Sequence, residues 1–372
     1  MSTTIRLHAA VLWLRNDTEV VRMDPRDSLL TSIAVHGDEG ALQAALSTRS
    51  KMQINQRDPE GNTALEAAAW AGNYEAVRIL LEHGADVKLR QRISGMTVLH
   101  DAALRADGET VRLLIEHGAE VDARSHEGVT PLMVAATIDC LRMLLDHGAD
   151  VHAADDAGRQ PLYWQAARTT DTDCLRLLFE RGADPNGKGR WLALFAAVQN
   201  DDDGAAVRTL LELGAVPDMR DPVDGFSALH GAAQAGRLGA ITALVEAGLS
   251  PDAMAQGSQV PLVSACRDDT GQAVARLLQL GANPNPTELA ADALSPIIAA
   301  VSLNNVAAVQ ALLAAGANPN VRRGDDVPLR NAFRGPADPT IVDALMEHGA
   351  DVSTAETDIP LIAYAAFAPT PN

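Results

Sequence analysis

Leucine and alanine alternate with polar residues along the chain in two recurring patterns. A short alanine-rich run such as Ala67-Ala68-Ala69 is followed, after a few polar residues, by a longer segment with apolar positions at Val77, Leu80 and Leu81, and then by a glycine. Apolar residues three and four apart mark one face of a helix, and a glycine just past the last of them marks its end. The pattern predicts a short helix and a longer one that fold back on each other. The closing glycine recurs at Gly84, Gly118, Gly148, Gly182, Gly214, Gly248, Gly281, Gly316 and Gly349, at intervals of 30 to 35 residues. About twenty residues before almost all of them lies a small or polar residue, then Pro or a substitute, then Leu or Ile, as in Thr130-Pro131-Leu132 and Ser295-Pro296-Ile297. A fixed period of this size signals stacked copies of one supersecondary unit.

Each recurring residue has a physical role. Thr or Ser at the N-cap accepts from a free backbone N–H of the first helix, and Pro at the next position fits because its missing N–H would have no partner there. Alanines in the first helix let neighbouring copies approach closely. The closing glycine supplies the left-handed conformation that ends the second helix. One such pair of helices cannot bury its apolar side alone, so stacking builds the core.

These motifs are similar to the ankyrin repeat, whose core reads D-x-x-G-x-T-P-L-H-x-A-A and ends L-L-x-x-G-A. Asp58-x-x-Gly61-x-Thr63-Ala64-Leu65, through Val77, Leu80-Leu81 and Gly84-Ala85, follows it closely, and nine copies in register cover about residues 23–367. The resemblance implies an all-α fold, an ankyrin repeat solenoid of about ten stacked helix pairs with short finger loops, forming an elongated arc. The expected divisions are an N-terminal segment at 1–22, a degenerate capping repeat at 23–57, nine repeats at 58–352, and a half-repeat cap and tail at 353–372.

Some copies depart from the pattern. The third lacks three residues between its helices, passing from Ala136 through Thr137 and Ile138 to Asp139, so its helices must connect more tightly. The fourth, fifth and ninth carry one extra residue in that turn. The fifth also lacks the glycine and the Thr-Pro, reading Gly189-Arg190-Trp191-Leu192. The stack is expected to bend or loosen there.

Charge narrows the choice of partner. Acids outnumber bases 49 to 30, for a net charge of −19, which disfavours nucleic acid because its binding draws on lysine and arginine. Aromatics make up 3% of the chain against 47% hydrophobic residues, as suits closely packed small side chains. Three cysteines argue against a disulfide framework. The apolar run at 9–14 is too short for a signal-peptide core, and no apolar stretch approaches the ~18 residues of a membrane span. Lysine is confined to Lys51, Lys88 and Lys188 while arginine and alanine abound, which points to a bacterial source and, with the rest, to a cytoplasmic protein.

Candidate chemistry dissolves on inspection. His83, His117, His147 and His348 each precede a helix-ending glycine, and His100 and His230 follow the leucine of the first helix, all places where a structural role is expected. Cys140 and Cys174 occupy equivalent slots of adjacent repeats, too far apart for a disulfide across packed helices. Asp201-Asp202-Asp203-Gly204 lacks the spaced ligands of a calcium loop, and Gly187-Lys188-Gly189 lacks a strand-to-helix context. No catalytic residue, cofactor or metal is expected.

The resemblance implies a binding scaffold whose partners touch the fingers and the outward side of the first helices, along the concave face. The fingertip series is apolar at Met96, Val129, Trp191, Phe226 and Leu294, and Arg159 belongs to it. Trp70, Leu104 and Arg267 extend the surface at the ends of first helices. Acids and bases at these slots balance, so the acidic surplus lies mainly on the second helices and the outer turns and favours a basic protein partner only weakly. The expected function is non-catalytic protein binding, with an immunity or inhibitor role that blocks a toxin or enzyme. A secreted effector that binds a host protein is the second reading, and an enzyme with a dispersed site in divergent repeats the third. Oligomeric state is not written in the pattern.

Overall fold

A computed structural model describes residues 29–355, apart from 37–38, 48, 59–60, 106–107, 169–170, 188–191, 201–202, 288–292 and 335–337. The segment at 1–22 and the half-repeat at 359–367 lie outside the described residues. The described chain is helical, with no strand among the described residues and isolated bridges at Arg90–Thr97, Arg220–Ser227 and Arg323–Asp326 in the fingers. It divides into two compact units, one ending at Asp184 and the other starting at Pro185.

In the first unit, Leu29–His36 and Glu39–Leu46 precede four full repeats. Their helix pairs are Ala64–Trp70 with Tyr74–Glu82, Val98–Arg105 with Gly108–Glu116, Pro131–Val134 with Ile138–Asp146, and Pro161–Ala166 with Thr172–Glu180. The second unit holds five more: Ala193–Asn200 with Ala205–Glu212, Ala228–Gln234 with Leu238–Glu246, Pro261–Ala265 with Gln272–Gln279, Pro296–Ser302 with Val306–Ala314, and Pro328–Arg334 with Pro339–Glu347. Within each unit, first helices pack on first helices and second on second. The core lies between these two layers.

The first full repeat shows why the sequence takes this form. Thr63 Oγ1 accepts from Glu66 N at 3.2 Å, and the Glu66 carboxylate accepts from Thr63 N at 2.7 Å, so two free N–H groups are satisfied reciprocally. Ala68, Ala69, Val77, Ile79 and Leu80 are completely buried. Gly84 takes φ +88°, and the turn closes with Gly84 N donating to Leu81 O and Ala85 N to Leu80 O. Two bonds of this kind satisfy carbonyls that the helix end would otherwise expose. Preceding it, His83 Nδ1 lies 2.8 Å from Ile79 O, and His117, His147 and His348 repeat that contact.

Within each unit, polar ladders tie successive repeats. In the outer turns Asn55, Asp122, Asn186, Asp252, Asn285 and Asn320 each accept from a backbone N–H of the following repeat at 2.7–3.0 Å. In the fingers, Arg57 donates to Arg90 O at 2.7 Å, Arg90 to Arg124 O, Arg124 to Ala154 O at 2.9 Å, and Arg220 to Met254 O at 2.7 Å. Each such bond adds about 1 kcal/mol and fixes the register between neighbours.

The shortened third repeat is completed by the fourth. Its first helix stops at Val134, and Ala135 turns to ψ 124°, leaving carbonyls without helical partners. Gln165 Nε2 donates to Ala135 O at 2.9 Å and Arg168 Nη1 to Val134 O at 2.8 Å, while Ala136 N reaches back to Ala103 O at 2.9 Å.

Candidate partner-binding surface

A protein partner needs exposed side chains on rigid supports, and the fingers and first-helix ends supply both. Trp70 ends its helix 40% exposed, and the Arg105 guanidinium lies 4.1 Å from the centre of its ring. Leu104, beside Arg105, is half-buried, as is Met96 at the base of the second finger. Met96 N donates to Ser94 Oγ at 3.1 Å and Met96 O accepts from Gln91 N at 2.8 Å, which close the hairpin. In the second unit Leu294 is 40% exposed and Arg267 is exposed at the end of its first helix. Trp191 lies outside the described residues.

Three fingertip expectations need correction. Val129 is buried rather than presented, with its N–H donating to Ser125 Oγ at 3.1 Å and its carbonyl accepting from His100 Nε2 at 3.0 Å. Arg159 is turned inward: Nε donates to the Asp155 carboxylate at 2.6 Å and the guanidinium lies 4.6 Å from the Trp164 ring centre. Its charge is neutralised within its own repeat. Phe226 is half-buried and stacks on His230, ring centroids 5.0 Å apart and planes 8° from parallel, so much of its face is covered by its own hairpin.

The most exposed apolar finger residues are ones the fingertip series passes over. Ile93 is 88% exposed and Val223 is 64% exposed, at the tips of the second and sixth fingers. Both fingers are one residue longer than their neighbours. Arg90 to Thr97 and Arg220 to Ser227 span one position more than Arg57 to Thr63, and each longer hairpin is pinned by a bridge between its ends. That extra residue was the available signal.

Buried titratable groups lie beneath this surface. His100 Nδ1 accepts from Thr97 N at 3.1 Å, and burial, with a smaller push from Arg90, lowers its pKa to about 4. His230 repeats the arrangement with Ser227 and Gln259, and its pKa is also lowered by burial. The thiols of Cys140, Cys174 and Cys266 are buried and unbridged. Burial pushes the Cys174 and Cys266 thiols up to about 12, which keeps them protonated and poorly nucleophilic. Among the described residues no group of three or more His, Cys, Asp or Glu side chains converges to hold a metal ion, and no helix is long and apolar enough to cross a membrane.

A family model described as ankyrin repeats in three copies matches residues 7–91, 87–155, 138–221, 162–256 and 194–288, and a single ankyrin repeat model matches 293–323. Among curated proteins, the chain is 54% identical over 46 residues to ankyrin repeat domain-containing protein 13D of Mus musculus, covering 12% of this chain and 7% of that protein. It is 38% identical over 58 residues to the Notch-regulated ankyrin repeat-containing proteins of Xenopus tropicalis and Homo sapiens, covering 15% of this chain and 51% of theirs. The matches thus span about half or less of each relative.

Proposed function

The chain belongs to the ankyrin repeat family, and from that premise we propose that it is a non-catalytic scaffold that binds another protein through its fingers and first-helix ends. One observation carries the reading. Large apolar side chains stand in solvent at supported positions on this side of the repeats, Ile93 at 88% and Trp70 at 40% exposure, where each costs hydration without contributing to the core. Interface energy concentrates in a few such anchors, tryptophan and arginine foremost.

Within this reading we infer an inhibitor or immunity role in a bacterial cytoplasm. Blocking an enzyme or toxin requires a surface and no chemistry, and the alanine-rich, lysine-poor composition supports the source. Affinity capture on the full chain, with an Ile93→Asp, Trp70→Ala variant as control, tests the scaffold role. The expected result is a single protein retained in stoichiometric amount by the native chain and lost from the variant. Equal retention on both, or none on either, would reject it. A captured enzyme or toxin whose activity the chain suppresses would support the inhibitor role.

A further inference from the structure

The second repeat departs from its neighbours in three ways. Its finger is longer, with Ile93 at the tip and the exposed Arg92 beside it. Its first helix ends in Arg105, which lies over the indole of Trp70 from the preceding repeat at 4.1 Å. And whereas Arg57, Arg78, Arg112, Arg124 and Arg159 each hold a carboxylate within 3.4 Å, Arg92 and Arg105 hold none among the described residues.

A guanidinium over an aromatic face is held by the ring quadrupole while its edge N–H groups stay free to donate. Trp70 therefore presets Arg105 for a planar acceptor. Carboxylates are the planar acceptors that a guanidinium fork fits with two parallel hydrogen bonds. Glu127, an exposed acid, lies on the next finger, so the exposed guanidinium groups of Arg92 and Arg105 are not continued there. The whole chain carries −19, yet Arg92 and Arg105 stand exposed in this repeat without a carboxylate partner among the described residues.

We propose that this face of the second repeat grips an extended, acidic segment of the partner protein, seating an apolar side chain against Ile93 and Met96 and a carboxylate in the fork of Arg105. The proposal rests on the protein-binding reading above and specifies its partner. Spacing follows from the support. The helix Val98–Arg105 has 8 residues and so is about 12 Å long, a distance an extended chain covers in about four residues. The bound segment carries its Asp or Glu about four residues from its apolar anchor.

Phage-displayed random dodecapeptides selected on the full native chain provide the probe. The expected selection enriches peptides with Asp or Glu about four positions from a Leu, Ile, Met or aromatic residue. Arg105→Glu, an exposed change that removes the contact with Trp70 and lowers melting by no more than a few degrees, weakens such a peptide by at least ~10-fold, and exchanging the peptide's acid for Lys restores binding to that variant. Arg105→Lys, which keeps the charge without the fork, gives an intermediate loss. Enriched peptides without an acid, peptides that bind Arg105→Glu as well as the native chain, or no enrichment at all would overturn the proposal. Should full-chain capture still retain a partner that Arg105→Glu also retains, the scaffold reading stands and this inference alone fails.

Discussion

Asp101 is fully buried one residue after His100, with Gln91 Nε2 donating to its two oxygens at 3.2 and 3.0 Å. Burial foremost, then the field of Glu66, raises its pKa well above the usual carboxylate range. The unfolded chain ionises this carboxyl near pH 3.8 while the folded chain holds its proton to higher pH, so it costs stability progressively as pH rises above that value. Replacing it with the isosteric amide removes the cost. Asp101→Asn is expected to melt a few degrees higher at pH 7.5, with the gain vanishing near pH 4, as calorimetry across this range would show. His100 acts in the opposite sense. Its unfolded form takes up a proton below about 6.5 and its folded form only near 4, so stability falls by up to ~3 kcal/mol on acidification across that window. With Asp101 neutralised, this acid loss stands uncompensated and the variant's curve steepens; a parallel pair of curves would contradict the assignment. The cap, proline and glycine roles at this scale were legible in the sequence because each acts within a few residues. Val129, Arg159 and Phe226 were misread because their side-chain directions depend on partners the period does not encode: the imidazole of His100 in the preceding repeat, the buried Asp155, and the ring of His230.

The seam between the fifth and sixth repeats turns on two glycines that face each other. A methyl group on Gly239 would come within 2.1 Å of the Asp203 backbone, and one on Gly204 within 2.5 Å of the Gly239 backbone. An exposed helical glycine normally gives up about 1 kcal/mol to alanine. Here Gly239→Ala is expected to destabilise by about 1–3 kcal/mol through forced separation of the helices, measured by urea unfolding. A stabilised variant would mean the helices part without cost. In the third repeat, Arg168→Ala withdraws a charged donor from Val134 O and is expected to cost about 1.5–3 kcal/mol by the same measurement. The fifth repeat supplies neither helix with a side-chain cap of the Thr63 type among its described residues, and Gly204 stands at the cap of Ala205–Glu212. Amide exchange in 193–212 is therefore expected to run faster than in 64–82. The sequence located this irregularity, because a missing cap is a local fact. It gave no sign of the Gln165 and Arg168 contacts, which come from some thirty residues downstream and depend on how two repeats stack.

At the scale of the whole chain, the register of nine repeats was readable because every copy repeats the same local instructions, while the surface was not, because exposure depends on finger length and on neighbours. Stability in such an array is a sum over units and their nearest interfaces, so damage stays local. Leu175 is completely buried in the fourth repeat, and Leu175→Ala is expected to cost about 2–5 kcal/mol there while exchange protection in 64–82 stays unchanged. Loss of protection in both places would show cooperative unfolding of the first unit. The second helices contribute to the net charge of −19 with acids in excess of bases, as where Arg78 lies between Glu75 and Glu82 and Arg112 between Glu109 and Glu116. The side chains given to Val134 and Ala135 by the fourth repeat bear on how an array of this kind grows. A duplication or swap that carried the third repeat alone would place it before a successor without Gln165 and Arg168, and its opened carbonyls would meet no donor. The third and fourth repeats therefore act as one structural unit, and a duplication that keeps both stable must carry the pair.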